Sequence, residues 1–166
     1  MDLPMITTHC YLESNGKYLM LHRTKKKEDV NKDKWIGVGG KFENGEAPEE
    51  CIRREVLEET GFTLNSVRYT GILTFIYDDK APEYIFTFVS SDFDGGSDIT
   101  PQCSEGVFKW VDKAELLSLE LWEGDRFMIE YLLKDRKEPY SLKFIYDKDD
   151  VLLEAWELSG IPKRLK

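Results

Sequence analysis

The segment from Gly40 to Phe62, GKFENGEAPEECIRREVLEETGF, decides how the chain is read. Its middle, Pro48 through Thr60, predicts a helix. Pro48 suits the first turn, Glu49 and Glu50 favour the positive end of the dipole, and Gly61 suits the position just past the last turn. At about 100° per residue, Glu55, Glu58 and Glu59 fall within an arc of roughly 100° on one face. Three carboxylates crowded there repel one another at neutral pH. The crowding makes sense if hard cations sit among them, because oxygen donors suit Mg²⁺ and Mn²⁺. Ile52 and Val56 lie on an adjacent arc and can anchor the helix to a sheet. Arg54 stands one turn before Glu58 and can pair with it. Glu46, in the preceding loop, can reach back as a supporting partner. The alternative is a solvated acidic face.

The whole pattern decides between these. A Gly, a Glu six residues on, Arg-Glu eight further, an aliphatic residue, Glu-Glu, Gly and an apolar residue resemble the Nudix box, G-x5-E-x7-R-E-U-x-E-E-x-G-U, with U apolar. Every specified position is filled. A chance match in a chain of this composition is on the order of one in a million. The resemblance implies an αβα sandwich, of α/β (α+β) class, with a mixed β-sheet and a loop–helix–loop over 40–62. It implies hydrolysis of a nucleoside diphosphate linked to another group, with Mg²⁺ or Mn²⁺. Position by position it makes Glu55, Glu58 and Glu59 metal ligands, with the Gly39 carbonyl a further candidate. Glu105, ahead of a later strand, stands where relatives take one more carboxylate; a solvent-facing loop residue is the alternative. Either Glu55 or Glu58 can accept a proton from an attacking water.

Outward from the box, Gly37 to Gly40 implies backbone freedom or close approach. His9 to Leu21 reads as two strands around Ser14-Asn15-Gly16, a hairpin signature. Thr24 to Lys34 reads as a polar, Lys-rich loop. Val67–Tyr77, Tyr84–Ser90 and Val107–Val111 read as strands, Asp92–Ser104 as a loop, and Lys113–Leu117 and Asp125–Lys134 as helical. A closing hairpin is expected over about 141–157. With no repeat or linker, the 166 residues read as one domain.

Similarity extends more loosely to the MutT-type, 8-oxo-dGTP diphosphatase branch, through Leu19–Arg23, Lys34–Lys41 and Leu121–Asp125. That resemblance sets Trp122 against a base face and Asp125 on its edge. A core aromatic and a helix N-cap are the respective alternatives. It also sets Arg23, Gly40 and Lys41 near phosphates. Animal relatives carry Asn where this chain has Ile36, and Asp where it has Gly124, so substrate preference can differ. Other Nudix substrates (ADP-ribose, dinucleoside polyphosphates) and a non-catalytic nucleotide-binding module are the competing readings.

Composition sets the outer limits. Asp+Glu number 32 against 23 Lys+Arg, a net charge of −9. That disfavours long nucleic acids and anionic lipid but does not exclude the small nucleotide that the resemblance implies as partner; the oligomeric state stays open between monomer and homodimer. From His22 to Lys41, seven Lys+Arg face three acids, about +4 leading into the box. Cys10, Cys51 and Cys103 form no C-x-x-C pair, and the start lacks a signal-peptide pattern. The expectation is a soluble, cytoplasmic protein.

Overall fold

The structure, a computed structural model, describes residues 2–95 and 101–166. Its elements are β1 (Met5–Ser14), β2 (Lys17–His22), β3 (Trp35–Ile36), β4 (Val38–Lys41), α1 (Pro48–Thr60), β5 (Thr63–Leu64), β6 (Arg68–Tyr77), β7 (Glu83–Ser90), β8 (Phe93–Asp94), β9 (Val107–Asp112), a 3₁₀ turn (Lys113–Ser118), α2 (Asp125–Leu133), β10 (Tyr140–Tyr146), β11 (Leu152–Glu157) and β12 (Lys163–Arg164). Ten of these strands join one mixed sheet, in the order β12-β11-β10-β6-β7-β1-β2-β3, with β4 on β1 and β9 on β2. β1 runs parallel to β7 and antiparallel to β4.

Strand alternation builds two cores from one sheet. Successive side chains point to opposite faces. Cys10, Leu12, Leu19 and Leu21 therefore meet Ile52 and Val56 of α1 on one side. Tyr11, Tyr18 and Met20 meet Met128 and Ile129 of α2 on the other. The result is the expected α+β layering, helix on sheet on helix.

Local expectations resolve element by element. Asn15 and Gly16 both have positive φ, 51° and 73°, which closes β1 and β2 in a tight turn whose twist matches the strands. α1 ends where Gly61 turns left-handed at φ 76°. Ala47, before the helix, has no side chain to cap with; instead the Glu50 carboxylate accepts its backbone N–H at 2.7 Å. The loop expected over Asp92–Ser104 is interrupted by β8, which pairs with β5, and by an isolated bridge from Gln102 to Val107; residues 96–100 lie outside the described residues. Lys113–Ser118 is a 3₁₀ turn rather than an α-helix. Among the described residues, no helix is long and apolar enough to cross a membrane.

Candidate active site

α1 packs against β4 and β1, and two glycines of β4 allow close approach, Gly39 to β1 and Gly40 to α1. A Cβ on Gly39 would lie 1.7 Å from the Thr8 carbonyl oxygen, and one on Gly40 would lie 2.5 Å from the Glu55 carboxyl. Glu55 thus rests on bare backbone. Arg54 organises the acidic face. Its Nε and Nη2 donate to the two oxygens of Glu46 at 2.5 and 2.8 Å. Its Nη1 donates to Glu55 at 2.8 Å and to Glu58 at 3.2 Å, and Nη2 also reaches the Lys41 carbonyl at 3.0 Å. The fork geometry of guanidinium makes such shared pairing possible. This hydrogen bonding holds the Glu46 carboxyl down, at about 2. Burial, by contrast, pushes the Glu55 and Glu59 carboxyls above their ordinary range, with neighbouring glutamates adding to the shift. Glu58 is the outermost of the three, its side chain 56% exposed.

Glu105 comes beside Glu59. Ligand atoms of Glu59, Cys103 and Glu105 lie within 4.8 Å of one another. The Cys103 thiol donates to Glu59 at 3.1 Å. Glu105 itself is paired, with Arg23 at 2.8 Å and Lys26 at 3.1 Å. Arg23 also bonds Asp29 at 2.8 Å, so its charge is compensated in this state. The Lys41 ammonium makes no ion pair among the described residues. Gly39, Gly40, Lys41, Glu55, Glu59 and Glu105 border one cleft of about 450 Å³, with Arg23 on its rim. Half-buried oxygen donors held together against their own repulsion fit a hard divalent cation.

Trp122 and Asp125 line a second, adjoining pocket. Trp122 is 3% exposed, ringed edge-on by Phe75, Tyr77 and Tyr146. Its indole N–H donates to Asn31 Oδ1 at 2.8 Å, and the Lys34 ammonium lies 5.1 Å from its ring centroid. Asp125 is not an N-cap. Gly124 precedes the helix, and its N–H is already taken by the Tyr146 hydroxyl at 2.7 Å. The Asp125 carboxyl accepts no hydrogen bond among the described residues. Burial, then the charge of Glu83, lifts it from the ordinary 3.8 to about 7. As closed here the pocket holds about 20 Å³, room for roughly one water.

His9, Asn31, Ile36 and Glu83 line both cavities. His9, Asn31, Glu83 and Cys103 escape the sequence reading. Cys103 carries a local signal, two residues before Glu105. The others carry none, because their place depends on pairing between distant strands and on the Lys-rich loop. Burial, and then Arg23, lower His9 to about 4, which leaves it neutral at pH 7.

Comparison with known proteins identifies the family and supports the fold. The NUDIX domain family model matches residues 4–132. The chain is 28% identical over 131 residues to an uncharacterized Nudix hydrolase of Bacillus subtilis, covering 76% of this chain and 78% of that one. It is 30% identical over 129 residues to the mouse oxidized purine nucleoside triphosphate hydrolase, covering 76% and 80%. A MutT protein from Bacillus halodurans has a similar structure, with TM-score 0.80, 27% identity, and coverage of 94% and 99%.

Proposed function

Since this chain belongs to the Nudix family of hydrolases, we propose that it is a metal-dependent pyrophosphohydrolase of purine nucleoside triphosphates, oxidised ones such as 8-oxo-dGTP foremost. The substrate becomes a nucleoside monophosphate and pyrophosphate. One observation carries this reading: the carboxylate cleft of Glu55, Glu59 and Glu105 adjoins a pocket whose wall holds an indole and a carboxyl with no hydrogen-bond partner among the described residues. A purine presents a flat face to the first and hydrogen-bonding edge atoms to the second. With its pKa near 7, Asp125 can donate as well as accept. Asn31 and Lys34 move off the indole to admit the base.

On this reading Glu55, Glu58, Glu59 and Glu105, with the Gly39 carbonyl, hold Mg²⁺ or Mn²⁺. Such ions offset phosphate charge and lower the pKa of a bound water. Arg54 and Glu46 fix the carboxylates in place. Glu55 or Glu58 accepts the proton of the attacking water. Lys41 would meet phosphate directly, and Arg23, which lines the same cleft and pairs with Glu105, would add its charge there.

The test is a product assay with Mg²⁺ on 8-oxo-dGTP and ADP-ribose in parallel. Monophosphate plus pyrophosphate from 8-oxo-dGTP is the expected result, and turnover no better than that of ADP-ribose sinks the assignment. Glu58→Gln should lower kcat by about 10²–10⁴-fold, with an unchanged circular dichroism spectrum. Near-normal turnover in that variant would remove Glu58 from the chemistry.

A further inference from the structure

A nucleotide has a fixed order, base then sugar then phosphate. Whatever joins a base pocket to a phosphate cleft therefore faces the sugar. Glu83 occupies such a junction. It opens β7, opposite Phe75 of β6 and beside Met5 of β1. It is on the wall of the pocket that holds Trp122 and Asp125, and also on that of the cleft that holds Glu55 and Glu59. Of its two carboxylate oxygens, Oε1 accepts the Thr7 hydroxyl at 2.7 Å. Oε2 takes part in no hydrogen bond among the described residues. Thr7 thereby holds one carboxylate oxygen and leaves the other, on a residue that lines both cavities, without a protein donor among the described residues. Such an acceptor can take an O–H or N–H from a ligand.

We infer that Glu83 is a specificity-determining residue whose Oε2 accepts a hydrogen bond from a sugar hydroxyl of the nucleotide. This rests on the nucleotide reading of the two cavities. It adds a contact that neither the box nor the pocket around Trp122 supplies. Asp125, deeper in the pocket, is left to the base edge. Lys41, whose charge acts on Glu83 from the cleft side, is left to the phosphates.

The test uses the full chain without added metal and measures binding calorimetrically. Probes are guanosine, 2′-deoxyguanosine and 2′,3′-dideoxyguanosine monophosphates, with the adenine series alongside. In the wild type, removal of the recognised hydroxyl should weaken binding about tenfold. In Glu83→Leu that penalty should fall below about twofold, while the guanine-to-adenine ratio stays put. Glu83→Gln keeps one oxygen, for Thr7 or for the sugar, and sets an NH2 at the other position that can donate to the hydroxyl oxygen, so it should retain about a threefold penalty. It also serves as the folded control.

A wild-type penalty that persists in the Leu variant overturns the inference. So does a wild type indifferent to both hydroxyls, or a Leu variant that shifts the base ratio and not the sugar penalty. Hydrolysis is read separately. Sugar-sensitive binding without triphosphate turnover would remove the catalytic reading and keep this one. Turnover with an unaltered sugar penalty in Glu83→Leu would do the reverse.

Discussion

Asp125 carries a stability consequence that can be worked out from its surroundings. It faces Glu83 from β7, Lys34 from the loop, His9 and Tyr11 from β1, and Tyr140 and Tyr146 from β10. Its carboxyl titrates at about 7 in the fold against an ordinary 3.8. Between those values the folded chain keeps a proton that the unfolded chain has released. Stability contributed by this group therefore falls as pH rises through that window, and the full penalty stands above pH 7. Asp125→Asn removes the titration. Urea unfolding should find the variant about 2–4 kcal/mol more stable than wild type at pH 8, with the gap closing at pH 4. A gap independent of pH would mean that Asp125 ionises normally. The sequence leaves open whether Asp125 is a cap or a pocket group. The answer comes from remote strands: Gly124 holds the N-cap position, and Glu83 of β7 with Tyr140 and Tyr146 of β10 surrounds the carboxyl. Glu83 is silent for the same reason. It stands one residue before the apolar alternation of its strand, and its enclosure comes from β1. The α1 carboxylates are readable in advance because helical spacing is local arithmetic.

At the scale of elements, two absent side chains set the packing: Gly40 admits the Glu55 carboxyl of α1, and Gly39 admits the backbone of β1. Gly39→Ala drives a Cβ into the backbone of β1, an atom that no rotamer change can move aside. It should cost about 3 kcal/mol and lower the thermal midpoint by about 6–12 °C. Gly45→Ala is the comparison: its φ is 86°, but the space around it is open, so about 1 kcal/mol is expected. Equal losses in scanning calorimetry would mean that close approach at Gly39 is not what the glycine serves. Helix bounds follow from the chain itself, since Pro48, Glu50 and Gly61 act within a turn of their own position. Strand pairing does not. Nothing near Met5 says that β1 will lie parallel to a strand beginning at Glu83, or that β10 will lie parallel to β6. β5, β8 and β12, two residues each, are too short to carry an alternation and exist only because a partner is there.

At the scale of the whole molecule, the charge of −9 is organised rather than spread. The basic segment before the box does not stand free in solvent. It folds over the acidic cleft, where Arg23 and Lys26 bind Glu105 and the Lys25 ammonium reaches the Cys103 carbonyl. A divalent cation would relieve repulsion that these side chains offset only in part. Thermal unfolding in chelator and then in Mg²⁺ or Mn²⁺ at matched ionic strength should show a rise of about 5–10 °C at a hundredfold excess over Kd. Glu59→Gln should reduce it. A rise equalled by monovalent salt would mean simple screening of net charge. The bond from the Trp122 indole to Asn31 has a different kind of consequence. On the proposed reading the base takes the place of this contact, so a nucleotide would select a conformer in which the bond is broken. Its apparent Kd would be the intrinsic one divided by the fraction in that conformer, each 1.4 kcal/mol held in the contact weakening it about tenfold. Nucleotide affinity, on that reading, is set partly by a contact that the bound nucleotide never makes.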